Sequence, residues 1–277
     1  MTRTLAVLLL AIIVSPAALA DDTGLLVAQG FGTADGEKYS SAQGKMLARR
    51  AAITDGRRNL LEVVEGVRIT SGTTVKDLTL EKDEIGTRVK GMLRGSFVIS
   101  ENVYEDSGSW VAEVEMAFCM SGGPKQCERK PTLAQFMQPE LKAPAPEEIF
   151  SPTPEALNTA AVNTPDAATV STGLIVDASA QNFSPMLDVR MRTQDGKELY
   201  GPGHVTAGTD WLHWARSVAS ARDLTDIVGA SPLVVTVDSL GQSGELVVGQ
   251  DSAIQVFQKN LKGGDFLKQG KVIFVVN

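Results

Sequence analysis

The side chains best suited to chemistry lie in the C-terminal part of the chain: Asp177, Asp188, Asp195, Asp210, His204 and His213. Metal-dependent hydrolysis brings histidines and carboxylates together at spacings such as H-E-x-x-H, and no such run is present. No G-x-S-x-G offers a serine nucleophile. His213 stands between Trp211 and Trp214, a setting that favours packing over proton transfer. Asp177 closes the apolar run TGLIVD, and the ends of strands are where ligand clefts open in α/β sheets. An aspartate there also commonly caps a turn. Tyr200-Gly201-Pro202-Gly203, followed by His204, either lines a groove or tightens a connection. Asp177, Tyr200 and His204 are thus the candidate ligand-cleft residues. No catalytic, metal-binding or cofactor-binding residue is assigned, and no cofactor is expected.

Gly30 to Gly36, GFGTADG, occupies the place of a dinucleotide-binding loop between a strand and a helix. A lone glycine pattern outside a βαβ unit is weak evidence for a cofactor. The expectation is that these glycines serve close backbone packing or a bulge. Cys119 and Cys127 are the only cysteines. They flank a turn-rich loop and are expected to form a disulfide in an oxidising compartment. Their spacing excludes a C-x-x-C redox pair.

The elements that position these residues form two groups. In the first, Leu25 to Thr33 reads as a strand, with Ser40 or Ser41 capping a long helix. Met46, Ile53 and Leu60, extended by Ala42 and Val64, are expected to face the sheet. Gly66 should end that helix in the left-handed region. A strand over Val67 to Val75 and a second helix from Leu80 to Met92 follow. Phe97 to Tyr104 and Ser109 to Cys119 complete an antiparallel hairpin, with the Trp110, Ala112, Val114, Met116 and Phe118 set inward. Prolines crowd residues 129–171, which read as an extended, mobile tether, with an ordered strap as the alternative. Beyond it, strands are expected at Thr172 to Ala178, Met186 to Thr193, Glu198 to Tyr200, Pro232 to Leu240, Glu245 to Val248 and Val272 to Val276. A helix capped by Thr209 or Asp210 should carry Trp211 to Val218, and one capped by Asp251 should bury Ile254, Phe257 and Leu261. The fold class is α+β: two small domains, residues 21–128 and 172–277, each an antiparallel or mixed sheet with helices packed on it, joined by a Pro-rich linker.

The runs ARRAA at Ala48 to Ala52, RNLLE at Arg58 to Glu62 and the Gly66-Val67 junction carry a resemblance. Over roughly residues 25–119 the chain is similar to the twenty-kilodalton outer-membrane lipoprotein (LPP-type) family and to the N-terminal domain of flagellar assembly protein T. The resemblance implies an envelope protein without known catalysis, linked in some relatives to the flagellar basal body; the expected partners are envelope proteins, with flagellar or outer-membrane components as candidates. No lipobox cysteine is present.

Residues 1–20 have a basic head, an apolar run and Ala18-Leu19-Ala20, the pattern of a signal peptide cleaved between Ala20 and Asp21. The expected location is the periplasm, with outer-membrane association open. A formal charge of −7 argues against nucleic acid as a partner. The functional expectation is protein–protein interaction in the cell envelope. The alternative is a ligand-binding or hydrolytic C-terminal module acting on peptide or cell-wall fragments.

Overall fold

The computed structural model describes residues 24–122, 125–157 and 170–277. The expected signal peptide and its cleavage point at Ala20 and Asp21 lie outside the described residues, as do 158–169 of the expected linker. No helix among the described residues is long and apolar enough to cross a membrane.

The chain is a mixed α+β protein. Its first lobe holds an antiparallel sheet of β1 (Leu25–Asp35), β2 (Phe97–Asp106) and β3 (Ser109–Cys119), in the order β1-β3-β2. One long helix, α1 (Ser41–Glu65), lies across one face, its start fixed by a capping box between Ser40 and Gln43. The inward set of β3 is as the alternation predicts: Ala112, Val114, Met116 and Phe118 are buried and Trp110 is half-buried.

The buried stripe of α1 differs from the expected one. It consists of Gly44, Ala48, Ala52, Gly56, Leu60 and Val64, whereas Met46 is 64% exposed. Small residues four apart let the helix backbone approach the strand more closely than Met or Ile permits. Gly30 and Gly32 of β1 complete the contact, for a Cβ at Gly32 would lie 2.2 Å from the Ala48 carbonyl oxygen. The glycines of GFGTADG thus serve close packing within β1. Gly66 caps α1 with φ −75°, an ordinary right-handed value and not the expected left-handed one.

No strand spans Val67 to Val75. A single Arg68–Thr74 bridge closes a tight loop, and Thr74 then caps α2 (Val75–Glu81) through a capping box with Asp77. The two hydrogen bonds of that box outweigh the β-preference of the threonines. A separate helix, α3 (Asp83–Met92), follows.

The second lobe contains two four-stranded sheets. One is mixed, in the order β6-β5-β10-β9, built from β5 (Met191–Thr193), β6 (Glu198–Tyr200), β9 (Ser239–Leu240) and β10 (Leu246–Val248). The other is parallel, in the order β7-β11-β4-β8, built from β4 (Leu174–Asp177), β7 (His213–Ala215), β8 (Leu233–Thr236) and β11 (Val272–Val275). Trp211 to Val218 is not one helix. Trp211 and Leu212 are fully buried ahead of β7, and a helix begins only at Val218, capped by Ser217. The helix Gln250–Lys262 is capped at Gly249 rather than Asp251, and Leu261 is 65% exposed on it.

Residues 129–157 are not a mobile tether. Thr132 caps the short helix α4 (Leu133–Met137), and Leu133, Ala134, Met137 and Phe150 are buried. Glu140 receives Lys82 and Arg88 from the first lobe, both at 3.1 Å. The Phe150 N–H donates to the Glu198 carbonyl at 2.8 Å. The proline-rich run is here an ordered strap whose apolar side chains join a core shared by both lobes. Backbone bonds from Leu187 and Asp188 to Arg68 and Ile69 join the lobes directly.

Candidate functional site

The Asp195-Gly196 turn folds β5 onto β6 with Gly196 at φ +83°. This hairpin buries Glu198 completely. Arg190 donates from Nη1 to Glu198 Oε2 at 2.8 Å and from Nε to Asp188 Oδ1 at 2.7 Å. Its Nη2 reaches the carbonyl of Lys142 in the strap. Burial alone would raise the Glu198 carboxyl, but His204 and Arg190 outweigh it and hold the group below the usual carboxylate value. For Asp188 burial prevails over Arg190 and the carboxyl is raised.

Two of the three sequence candidates meet here. The rings of Tyr200 and His204 stand 6.4 Å apart, and His204 Nε2 lies 3.4 Å from Glu198 Oε1. Tyr200 is fully buried, donates its hydroxyl to the Trp211 carbonyl at 3.2 Å, and has its ionisation raised by burial. It cannot act on a ligand from there. His204 does reach a cleft of about 200 Å³, shared with Phe257, Asn260, Leu267, Lys268 and the strap residues Ile149 and Phe150. Asp177 is not part of this group. Its Oδ1 accepts from the Ser179 N–H at 3.0 Å and the Ser179 hydroxyl at 2.6 Å, a turn cap at the end of β4.

The other histidine is a core residue. Burial pushes His213 down to about 4, against the backbone at Gly122 and Asp210, which favours its charged form. Burial raises the neighbouring Asp210, which accepts a 3.4 Å bond from Thr132 Oγ1. Gly122 sits so close that a Cβ there would overlap Asp210 Oδ2 at 2.1 Å. Cys119 and Cys127 are joined as expected, with Cα atoms 5.8 Å apart. The bridge holds the chain beside this junction as it leaves β3.

A second opening lies in the first lobe, along the sheet face opposite α1. A groove of about 480 Å³ runs across the strands, lined by Gln29 and Phe31 of β1, Glu113 and Glu115 of β3, and Ser100 to Asn102 of β2. Registry places Phe31, Glu113 and Asn102 side by side. Phe31 is 55% exposed. Tyr104 and Ser100 donate to Glu113 and Glu115 at 2.9 and 3.2 Å, steadying both carboxylates on the surface. The groove was not among the sequence candidates. Its signal was present, since the alternation of β3 had already set Glu113 and Glu115 outward.

Among the described residues no group of three or more His, Cys, Asp or Glu is arranged to hold a metal ion. Residues 173–277 match the family described as Treponema pallidum Tp0624, second domain. A comparison with curated proteins gives no match.

Proposed function

We propose that this is an exported, non-enzymatic cell-envelope protein that acts by binding other proteins, among them outer-membrane or flagellar basal-body components. The observation that carries the reading is the open face of the first sheet, which presents Phe31 beside a groove while α1 covers the opposite face. An aromatic left half-exposed over a groove marks a recognition surface more often than a catalytic one. The second lobe spends its reactive side chains internally. Asp177 caps a turn, Tyr200 and His213 are buried, and Glu198 is engaged by Arg190. The disulfide fits an oxidising compartment such as the periplasm. The resemblance of residues 25–119 to the lipoprotein and flagellar-assembly families points the same way.

The small cleft at His204 supports a second reading, in which the second lobe binds a peptide or cell-wall fragment. Complementation of a deletion strain separates the two. Under the interaction reading, Phe31→Glu abolishes rescue and His204→Ala retains it. The opposite pattern, with both variants folded and exported, transfers function to the cleft.

A further inference from the structure

Strands β1, β2 and β3 contain no Lys or Arg, yet carry Asp35, Glu101, Glu105, Asp106, Glu113 and Glu115. Four of these, Asp35, Asp106, Glu113 and Glu115, project from the face opposite α1, as pairing registry requires. Arg49 of α1 engages Glu101 at 2.7 Å at the edge of the groove. Lys130 lies over the far end of this face, its ammonium 3.7 Å from the centre of the Phe97 ring. Among the described residues Glu113 and Glu115 are held by hydroxyls and form no ion pair, so their charge faces the groove. Phe31, opposite Glu113 on the neighbouring strand, adds an apolar and cation-accepting ring.

We infer that this groove docks an extended, Lys- or Arg-bearing segment of a partner protein. The inference rests on the interaction reading above and names the chemistry of the partner. The segment lies across the strands and does not lengthen the sheet. The middle of the free β1 edge is engaged by α1, with the Phe31 N–H donating to Asp55 Oδ2 at 3.1 Å and the Gln29 carbonyl accepting from Asn59 Nδ2 at 2.8 Å. At the other edge, β2 is bulged between Val98 and Ser100, which disfavours strand addition. A second copy of this chain is the less suitable occupant because a protein of net charge −7 repels itself. A divalent ion is also less suitable, because no metal-holding group occurs among the described residues.

The test uses the mature full-length chain and two labelled nine-residue peptides, one alternating Lys with Val and the other Glu with Val. At low salt the Lys peptide is expected to bind and to shift backbone resonances at Phe31, Glu113 and Glu115. Binding should weaken about tenfold in the Glu113→Gln/Glu115→Gln double variant, whose near-isosteric amides on the solvent side of β3 leave folding intact. Added salt should weaken it further. Equal binding of the Glu peptide, resonance shifts confined to the second lobe, or no binding overturns the inference. Concentration-dependent self-association abolished by Arg57→Glu/Arg58→Glu also overturns it, in favour of a second copy. If Phe31→Glu still abolishes rescue while the Lys peptide fails to bind, the interaction reading stands and only the partner's chemistry is lost.

Discussion

Gly30 of β1 and Gly56 of α1 meet backbone against backbone: a Cβ added to Gly30 would fall 2.3 Å from the Gly56 nitrogen and 2.2 Å from the Ala52 carbonyl oxygen. The first lobe is organised around this contact. It brings α1 down onto one face of a three-stranded sheet and leaves the other face to solvent. Gly30→Ala forces the helix away from the strand, and neither neighbour is a flexible side chain that can swing aside. The expected loss is about 3 kcal/mol, read from the denaturant midpoint. A loss below about 0.5 kcal/mol, the range of a neutral surface change, contradicts the close-packing account.

The disulfide closes a short loop between residues separated by eight positions. Chain-entropy reasoning assigns such a loop about 2.5 kcal/mol. Cys119→Ser/Cys127→Ser should lower stability by that amount, and reductant should do the same to the unsubstituted chain. A variant unaffected by the change would mean that neighbouring contacts alone hold the exit of β3.

His213 gives stability a defined dependence on pH. The unfolded chain takes up this proton near 6.5 and the folded chain at about 4. Between those values the unfolded state binds more protons, so stability falls as pH drops from 6.5 to 4. The loss totals about 3 kcal/mol. Asp188 and Asp210, raised by burial, act with the opposite sign, favouring the folded state as pH falls through their raised values. His213→Gln should therefore flatten the acid limb of the melting-temperature curve relative to the parent chain. An unchanged slope over pH 6.5 to 4 would assign the acid sensitivity to other groups.

Glu198 and Arg190 tie the strap to the second lobe, since the same guanidinium engages both Glu198 and the Lys142 carbonyl. Removing one partner of a buried pair leaves the other charge uncompensated. Glu198→Ala should cost about 3–5 kcal/mol and open residues 142–150 to limited proteolysis. His204→Ala, at the rim of the cleft, should leave the strap resistant. Cleavage at equal rates in both variants would show that the ion pair does not hold the strap.

Features written in strong local chemistry were legible from the sequence. Glu113 and Glu115 alternate with apolar neighbours because one face of β3 is wet, and Ser40 announces the start of α1. Cys119 and Cys127 lie within bridging reach along the chain. The face of α1 was not legible, because Gly44, Ala48, Ala52 and Gly56 carry little hydropathic signal. Met46 is the more apolar residue in the run, yet it is exposed. The run from Thr73 to Val75 looked like a strand because β-branched residues outweighed a less obvious capping signal at Thr74 and Asp77. Trp211 and Leu212 form no helix because burial beside β7 decides their conformation, and that is a long-range contact. The strap was obscured by its prolines, for its order comes from Leu133, Met137 and Phe150 reaching a core assembled far away in sequence. Tyr200 and His204 lie side by side, as their nearness in sequence allows, but only His204 lines the described cleft and Tyr200 is buried behind it. Asp177 turns to Ser179 instead, because whether a strand-end carboxylate faces a cleft or its own turn depends on the loop after it.

The central claim is that the open sheet face of the first lobe meets another protein in the cell. A photoreactive residue placed at Phe31 in the producing cell tests it most directly, with Met46 on the exposed side of α1 as the control position. The account predicts a discrete higher-mass adduct from position 31, absent from position 46 and reduced when Glu113 and Glu115 are both replaced by Gln. Equal or absent cross-linking at the two positions would contradict it.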